Sequence, residues 1–332
     1  MQVFRGIPHC AEQGCVLSIG NFDGLHRGHQ ALLAKLTAKA RETGLPATVL
    51  TFEPHPREYF AHETRPRRLT SLREKIGLLA RAGVDRVVIG RFNAAFAALG
   101  ADEFIDTVLI RGLGVRQLLI GDDFRFGRGR SGDFAQLQQA GARAGFGVEA
   151  MGTLELDGAR VSSSAVRDAL ASGVLSHAAR LLGRGYSISG RVMHGDKIGR
   201  TLGFPTANIQ LKHRSPPMMG IYTVSVEGLA DRPWPGVASL GVRPTVNDAG
   251  RPTLEVHLFD WDADCYDAHA HCVARKSHFD WTRNEAALFF FDGRMDTIAP
   301  VIGLDPDAVR TILRDAAPWA RNIGMERWEE VA

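Results

Sequence analysis

The feature that most restricts the fold is a change of hydrophobic period that recurs along residues 15–170. The apolar runs CVLSIG, ATVLTF, RVVIG, RQLLIG and FGVEA read as short buried strands. Between them, helical periodicity runs over roughly 28–43, 70–82, 101–113 and 133–144. In the first of these stretches Leu32, Leu33, Leu36 and Ala40 share one face. Strands alternating with helices predict an α/β domain with a doubly wound parallel sheet. Such sheets bind ligands outside the carboxyl ends of the strands, at the strand-to-helix turns.

The first of those turns, SIGNFDGLHRGHQALL over 18–33, holds more than a turn requires. Gly20, Gly24 and Gly28 surround His26 and His29, whose spacing puts both imidazoles on one side of a first helical turn. That turn offers free N–H groups and a partial charge of about +0.5. Glycines let the backbone approach a phosphate closely. An isolated His-x-x-His is ordinarily a pair of surface histidines. The glycine spacing and the position after a strand point instead to a grip on a polyphosphate that stabilises developing negative charge. Ser162, Ser163 and Ser164 in VSSSAVRDAL can cap a helix and offer hydroxyls and amides to phosphates, and Arg167 adds a fixed cationic fork.

Length and charge bound the partners. At 332 residues the chain suits two domains. Its 40 basic and 37 acidic residues are too evenly balanced to argue for nucleic acid, and suit small polyanionic substrates. Cys10, Cys15, Cys265 and Cys272 form no Cys-x-x-Cys pair, so a reducing, cytoplasmic setting is expected. No apolar run reaches the span of a bilayer, and MQVFRGIPHC lacks a signal core, so no membrane partner is expected. The oligomeric state is left open.

Residues 162–182 read as helical with a break at Gly173, and GRGYSISG over 183–190 as a junction. Beyond it SISGRVM, GIYTVSV, PGVASLG and PTLEVHLFD predict a small antiparallel barrel. In the last, Leu254, Val256 and Leu258 face one way and Glu255 and His257 the other. HGDKIGRTLGFPTANI over 194–209 is a glycine-rich basic loop without a Walker A pattern. Thr206 and Asn208 point the same way in an extended segment, and an oxygen from each suits Mg²⁺ held against ATP phosphates. A carboxylate at Glu255 can accept a proton from a substrate hydroxyl, although a lone strand glutamate is usually just solvated. Farther on, Asp305-Pro306 predicts a helix over about 306–316.

These segments carry two resemblances. G-N-F-D-G-L-H-R-G-H is similar to the phosphate-binding signature of the nucleotidyltransferase superfamily, in the variant of bacterial FAD synthetases. TFEPHP (51–56), IGDDFRFG (120–127) and VSSSAVRDAL (161–170) resemble further segments of that family, with Ser164 and Val166 as mild departures. The resemblance implies that His26 and His29 are catalytic, that Gly20, Asn21, Asp23 and Gly24 form the ATP pocket, that Asp123 sits near the flavin, and that Ser162, Ser163, Ser164 and Arg167 serve the phosphates. The GxxxGRxxGFPTAN pattern and the strand TLEVHLFD resemble bacterial riboflavin kinase, a small six-stranded barrel. This implies Glu255 as catalytic base, Thr206 and Asn208 on Mg²⁺-ATP, and Lys197, Gly203 and Pro205 as nucleotide-binding residues.

Together the resemblances cover about residues 1–266, in the order of the bifunctional family: an FMN adenylyltransferase domain over 1–182 and a riboflavin kinase barrel over 183–332. ATP, riboflavin and FMN would be substrates and FAD the product. From about 267 the tail DAHAHCVARKSHFDWTRNEAALFFF diverges, through a reading-frame change near 266 or as a family variant. Divergence there suggests an alternative, an FAD synthetase with an impaired kinase domain. An alternative of another class, an NAD-dependent oxidoreductase, rests on the G-x-G-x-x-G of Gly127–Gly132 with Glu149 following, although those glycines stand well past the strand end and late in the sheet. Cys265, His269, His271 and Cys272 cluster in sequence, with a spacing that fits no standard structural zinc site.

Overall fold

The computed structural model describes residues 1–60, 65–194, 206–211, 215–242, 252–259 and 261–277. The chain divides into two compact units, one formed by Met1–Leu170 with His177–Arg184, the other by Ala171–Ser176 and the chain from Gly185 on.

The first unit is built on strands β1 (Gln2–Arg5), β2 (Cys15–Ile19), β3 (Ala47–Glu53), β4 (Arg86–Arg91), β5 (Val115–Gly121) and β6 (Gly147–Met151). Every pairing in this sheet is parallel, in the order β1-β4-β3-β2-β5-β6. The chain runs outward from β2 through β3 to β4, then returns to place β5 on the other side of β2. The order therefore reverses between β2 and β5, and the loops after these two strands part to leave a crevice. β2 is buried along its whole length, as its continuous apolar run requires. Cys15, Leu17 and Ile19 face a core completed by Phe104, Val108, Leu109 and Leu137. Val16 faces a second core with Leu33, Leu36 and Leu79.

The helices follow from their caps. α1 (Arg27–Thr43) begins at His26 and stops at Gly44, whose φ of 66° is the left-handed C-terminal geometry that glycine favours. Two short helices, α2 (Pro56–Phe60) and the longer α3 (Leu72–Arg81), follow β3. α3 is closed by a capping box in which the Ser71 side chain accepts from the Glu74 amide and Glu74 accepts from the Ser71 amide. The helix expected over 101–113 is composite. After α4 (Ala94–Ala98), α5 (Ala101–Phe104) runs on as a wider π-type helix, Ile105–Gly112. α6 (Phe134–Ala144) is capped by Asp133. A hairpin, β7 (Glu155–Leu156) and β8 (Ala159–Arg160), precedes α7 (Ser163–Ala171) and α8 (Leu175–Leu182), separated at Gly173 where the sequence placed a break. β1 went unread because all its residues are exposed on an edge and carry no alternation.

The second unit is a closed antiparallel barrel of β9 (Ser187–Met193), β10 (Thr206–Ile209), β11 (Gly220–Glu227), β12 (Trp234–Val242), β13 (Pro252–Leu258) and β14 (His269–Ser277), in the order β10-β13-β12-β11-β14-β9. Its interior is filled by side chains including Ile188, Tyr222, Val224, Leu240, Leu254 and Cys272. β14 lies beyond Tyr266, in the stretch that reads as divergent. It pairs with β11 and β9 and completes the barrel. Its inward residues, Ala270, Cys272 and Ala274, are small, and alanine is a weak strand former, which hid the alternation. The helix expected over 306–316 lies outside the described residues, as does the end of the tail.

Candidate active site

The crevice at the β2/β5 reversal is a cleft of about 1110 Å³. Gly20, Asn21, Asp23, His26, His29, Asp123, Ser162, Ser163, Ser164 and Arg167 all border it, so the structure gathers residues spread across more than a hundred positions. The loop after β2 reaches it by an unusual path. Phe22 and Leu25 hold φ values of 48° and 43°, and Gly24 holds 78°. Such left-handed geometry at non-glycine residues is sustained only where the surroundings over-determine it. Gly24 stands behind the cleft, where a Cβ would meet the Leu69 side chain at 2.7 Å.

Asp23 supplies much of that determination. Its buried carboxylate accepts hydrogen bonds from the Leu69 amide at 3.1 Å, the Thr70 amide at 3.0 Å, the Thr70 hydroxyl at 3.1 Å and Arg167 at 2.5 Å. These bonds tie the loop after β2 to the Leu69–Thr70 stretch and to α7, with Asp23 still at the cleft wall. The Asp23 carbonyl accepts from the Ser163 hydroxyl at 3.0 Å, which fixes the start of α7 beside the loop. Ser162 caps α7 by accepting from the Ala165 amide at 3.1 Å.

His26 is itself the cap of α1, its Nδ1 accepting from the His29 amide at 3.4 Å. In the neutral ring this places the proton on Nε2 and makes that nitrogen a donor. The two imidazoles stack with centroids 3.7 Å apart and planes 20° from parallel. The His29 Nδ1 is buried with no hydrogen-bond partner among the described residues. Burial pushes the His26 pKa down to about 4, against the pull of Asp23 and helped by Arg160, Arg167 and Arg184. Burial, then the neighbouring His26 and Lys75, holds His29 well below the usual histidine range. Both rings are therefore neutral at pH 7 and present a ring N–H rather than a fixed positive charge.

A third imidazole joins them that the sequence reading quoted only within TFEPHP. His55 is 8% exposed, borders the cleft, and accepts from the Arg57 amide at 3.0 Å through Nδ1. It repeats the His26 arrangement at the start of α2, and burial likewise brings its pKa down to about 4. An aromatic wall was also missed. Phe52, Phe92, Phe96, Phe104 and Phe126 border the cleft in a chain of ring contacts 5.3–6.0 Å apart. Such a wall suits a planar ring system. Phe52 and Phe126 lie in the quoted segments TFEPHP and IGDDFRFG, whereas Phe92, Phe96 and Phe104 lie in none of them. The cleft thus joins a donor-rich end, with the starts of α1 and α7 facing it, to an aromatic end.

The Gly127–Gly132 segment does not form a dinucleotide turn. It closes on itself through a Phe126/Gly132 bridge, and α6 begins only at Phe134. The Asp133 carboxylate, bonded to the Gln136 amide at 3.0 Å, already occupies the helix start where a pyrophosphate would sit. Glu149 is bonded to Lys35 at 3.0 Å. The oxidoreductase alternative is therefore set aside. Asp123 lies at the cleft mouth, paired with Arg160 at 2.5 Å.

In the barrel, Asn208 stands directly opposite Glu255 and Thr206 opposite His257 in the β10/β13 register. Their neighbours Ala207, Ile209, Leu254, Val256 and Leu258 fill the interior. Alternation thus puts Thr206, Asn208 and Glu255 together on the outer face of one strand pair. A hydroxyl, an amide oxygen and a carboxylate form an all-oxygen set, which suits a hard divalent cation. Lys197, Gly203 and Pro205 lie outside the described residues. In β14 the same alternation turns Cys272 inward, away from the outward His271. Among the described residues no group of three or more His, Cys, Asp or Glu side chains could hold a metal.

Comparison with known proteins resolves along the same division. The FAD synthetase family model matches residues 9–165, and the riboflavin kinase family model matches residues 182–278. The second match runs past Tyr266 and takes in β14, which corrects the point at which the resemblance was read to stop. A bifunctional riboflavin kinase/FMN adenylyltransferase from Pseudomonas fluorescens is 53% identical over 80% of this chain and 86% of its own. One from Escherichia coli K12 is 51% identical over 88% and 93%. A crystal structure from Streptococcus pneumoniae, described as a macrolide-efflux protein, aligns with TM-score 0.74 and 27% identity over 93% of this chain and 99% of that one. No helix among the described residues is long and apolar enough to cross a membrane.

Proposed function

This chain belongs to the family of bifunctional riboflavin kinases/FMN adenylyltransferases, and from that premise we propose how its residues divide the two reactions. The enzyme phosphorylates riboflavin to FMN with ATP, and adenylylates FMN to FAD with a second ATP, releasing pyrophosphate. We assign adenylyl transfer to residues 1–182 and phosphorylation to the barrel domain over 183–332.

In the cleft, an FMN phosphate oxygen attacks the α-phosphorus of ATP. The bond from that phosphorus to the bridging oxygen breaks, and pyrophosphate departs with the bonding pair. The starts of α1 and α7, the neutral His26 and His29 rings, and Ser162, Ser163 and Ser164 receive the charge that develops. Arg167, already bonded to Asp23, keeps α7 in place. Gly20 and Asn21 line the nucleotide, and Asp123 and the aromatic wall take the flavin end. The observation that carries this assignment is the convergence of two helix starts and the stacked imidazoles on one cleft.

On the barrel, Glu255 accepts the proton of the ribityl 5′-hydroxyl, whose oxygen attacks the γ-phosphorus and releases ADP. Thr206 and Asn208 would hold Mg²⁺, which, when bound, would offset phosphate charge. Lys197, Gly203 and Pro205 are assigned to the nucleotide loop. The alternative of a crippled kinase is not favoured, because the riboflavin kinase match extends through β14. We place the enzyme in the cytoplasm, with small molecules as its partners rather than nucleic acid or membrane. The four cysteines form no Cys-x-x-Cys pair in the sequence, which supports a reducing compartment.

Incubation with riboflavin, ATP and Mg²⁺, followed by chromatography, tests both halves. FMN and FAD should both accumulate. Riboflavin left untouched while supplied FMN becomes FAD would overturn the barrel assignment, and FMN that stops short of FAD would overturn the cleft assignment.

A further inference from the structure

The groups at the phosphate end of the cleft come from distant parts of the chain: the loop after β2, the β3–α2 corner with His55, and the start of α7. The stretch from Arg67 to Ser71 bonds to each of them. Its Leu69 and Thr70 amides hold the Asp23 carboxylate at 3.0–3.1 Å, and the Thr70 hydroxyl accepts from the Gly24 amide at 3.1 Å. The Arg67 carbonyl accepts from Arg167 Nε at 2.6 Å. Arg68 spreads its guanidinium over two carboxylates. It donates to Glu53, at the end of β3, at 3.0 and 2.5 Å, and to Glu58, in α2, at 2.5 Å through both Nε and Nη2. Side-chain exposures of 21%, 31% and 16% for Arg68, Glu53 and Glu58 shield these bonds from solvent. The Ser71 capping box then ties the stretch to α3.

We propose that Arg68 is a positioning residue for adenylyl transfer: its fork on Glu53 and Glu58 holds the His55 corner in register with the Asp23-anchored loop and the start of α7. Arg68 does not border the cleft itself, so it acts through the elements it joins. A planar guanidinium can engage two carboxylates at once, whereas an ammonium is a single point charge. Donors for a transition state must be set closely, and a displacement of about 1 Å costs roughly 100-fold in rate. The inference rests on the assignment of His26, His29 and the serine run to ATP.

The test is single-turnover FAD formation by the full chain, with FMN limiting and enzyme and ATP saturating. Under these conditions an inactive fraction of enzyme does not change the rate constant, so lost folding and lost positioning separate. Arg68→Gln is expected to lower that rate constant by about 10- to 100-fold, with the KM for ATP rising only a few-fold. Arg68→Lys should recover part of the loss. Glu58→Gln, which leaves the bonds to Glu53, should lose several-fold, and it carries the test if Arg68→Gln does not fold. A rate constant within twofold of the parent in the folded variant overturns the proposal. His29→Ala is measured in parallel. If it is impaired and Arg68→Gln is normal, the positioning proposal alone fails. If His29→Ala forms FAD at the parent rate, the ATP-site assignment fails and takes this proposal with it.

Discussion

The candidate sites of the α/β unit and of the barrel are built in different ways. In the first, the polar groups around the cleft come from loops and helix starts, and their character is set by burial. His26, Asp23 and His55 are all under 9% exposed, as is Lys75 behind them in α3. Burial, against the pull of Asp23 and Glu53, also drives the Lys75 pKa below the usual lysine range. In the barrel, Thr206, Asn208 and Glu255 stand on the outside of a β-ladder, and the strand register alone brings them together. A buried network is sensitive to any lost partner, because the remaining groups stay desolvated. A ladder face is sensitive to the identity of the side chain and to a register slip, and tolerates change elsewhere.

The most forceful way to break this comparison is at Glu255. Glu255→Gln is expected to lower riboflavin phosphorylation by about 10²- to 10⁴-fold and to leave FMN-to-FAD conversion intact, as read by product chromatography. Loss of both activities would argue against separate sites. His29→Ala should do the converse, lowering FAD formation by about 10²- to 10³-fold while FMN formation continues.

Asp23→Ala sharpens the contrast between network and ladder. It strands Arg167 and the Leu69 and Thr70 donors, and should destabilise the first unit by about 3–5 kcal/mol in urea unfolding. Destabilisation below about 1 kcal/mol would mean that the loop holds its shape without the carboxylate.

Protonation gives a smaller and separable effect. The folded pKa values of His26 and His55, about 4, lie below the ordinary 6.5, so between these pH values the unfolded chain binds more protons. Stability should be level above pH 6.5 and fall as pH drops toward 4, by at most about 3 kcal/mol per ring. In NMR titration neither ring should titrate between pH 5.5 and 8; a midpoint near 6.5 for either would show an open, solvated imidazole. The smallest effect is expected from Lys35→Ala. It removes an exposed pair with Glu149 and should change unfolding free energy by less than about 1 kcal/mol.

Much of this was legible in residue order. The buried runs and helical stripes of 15–170 became the parallel sheet and its helices, because period and capping are local properties. The β2 turn was legible for the same reason, since its glycines and histidines lie within a few residues of one another. The barrel was half legible. Its strands with bulky alternation were read, whereas β10 is short and β14 is built on alanine and cysteine. Their membership depends on closure with distant partners.

The sequence by itself determined the two architectures, their order along the chain, and the residue types available for phosphate chemistry. The tertiary structure decided how those residues are placed. It bound the Asp23 carboxylate to Leu69, Thr70 and Arg167, buried the imidazoles so that they stay neutral, brought His55 and the phenylalanine wall to the same cleft, and set Glu255 across from Asn208. Each of these depends on contacts between segments far apart in the chain, and the desolvation and register that such contacts impose are not properties of any local stretch.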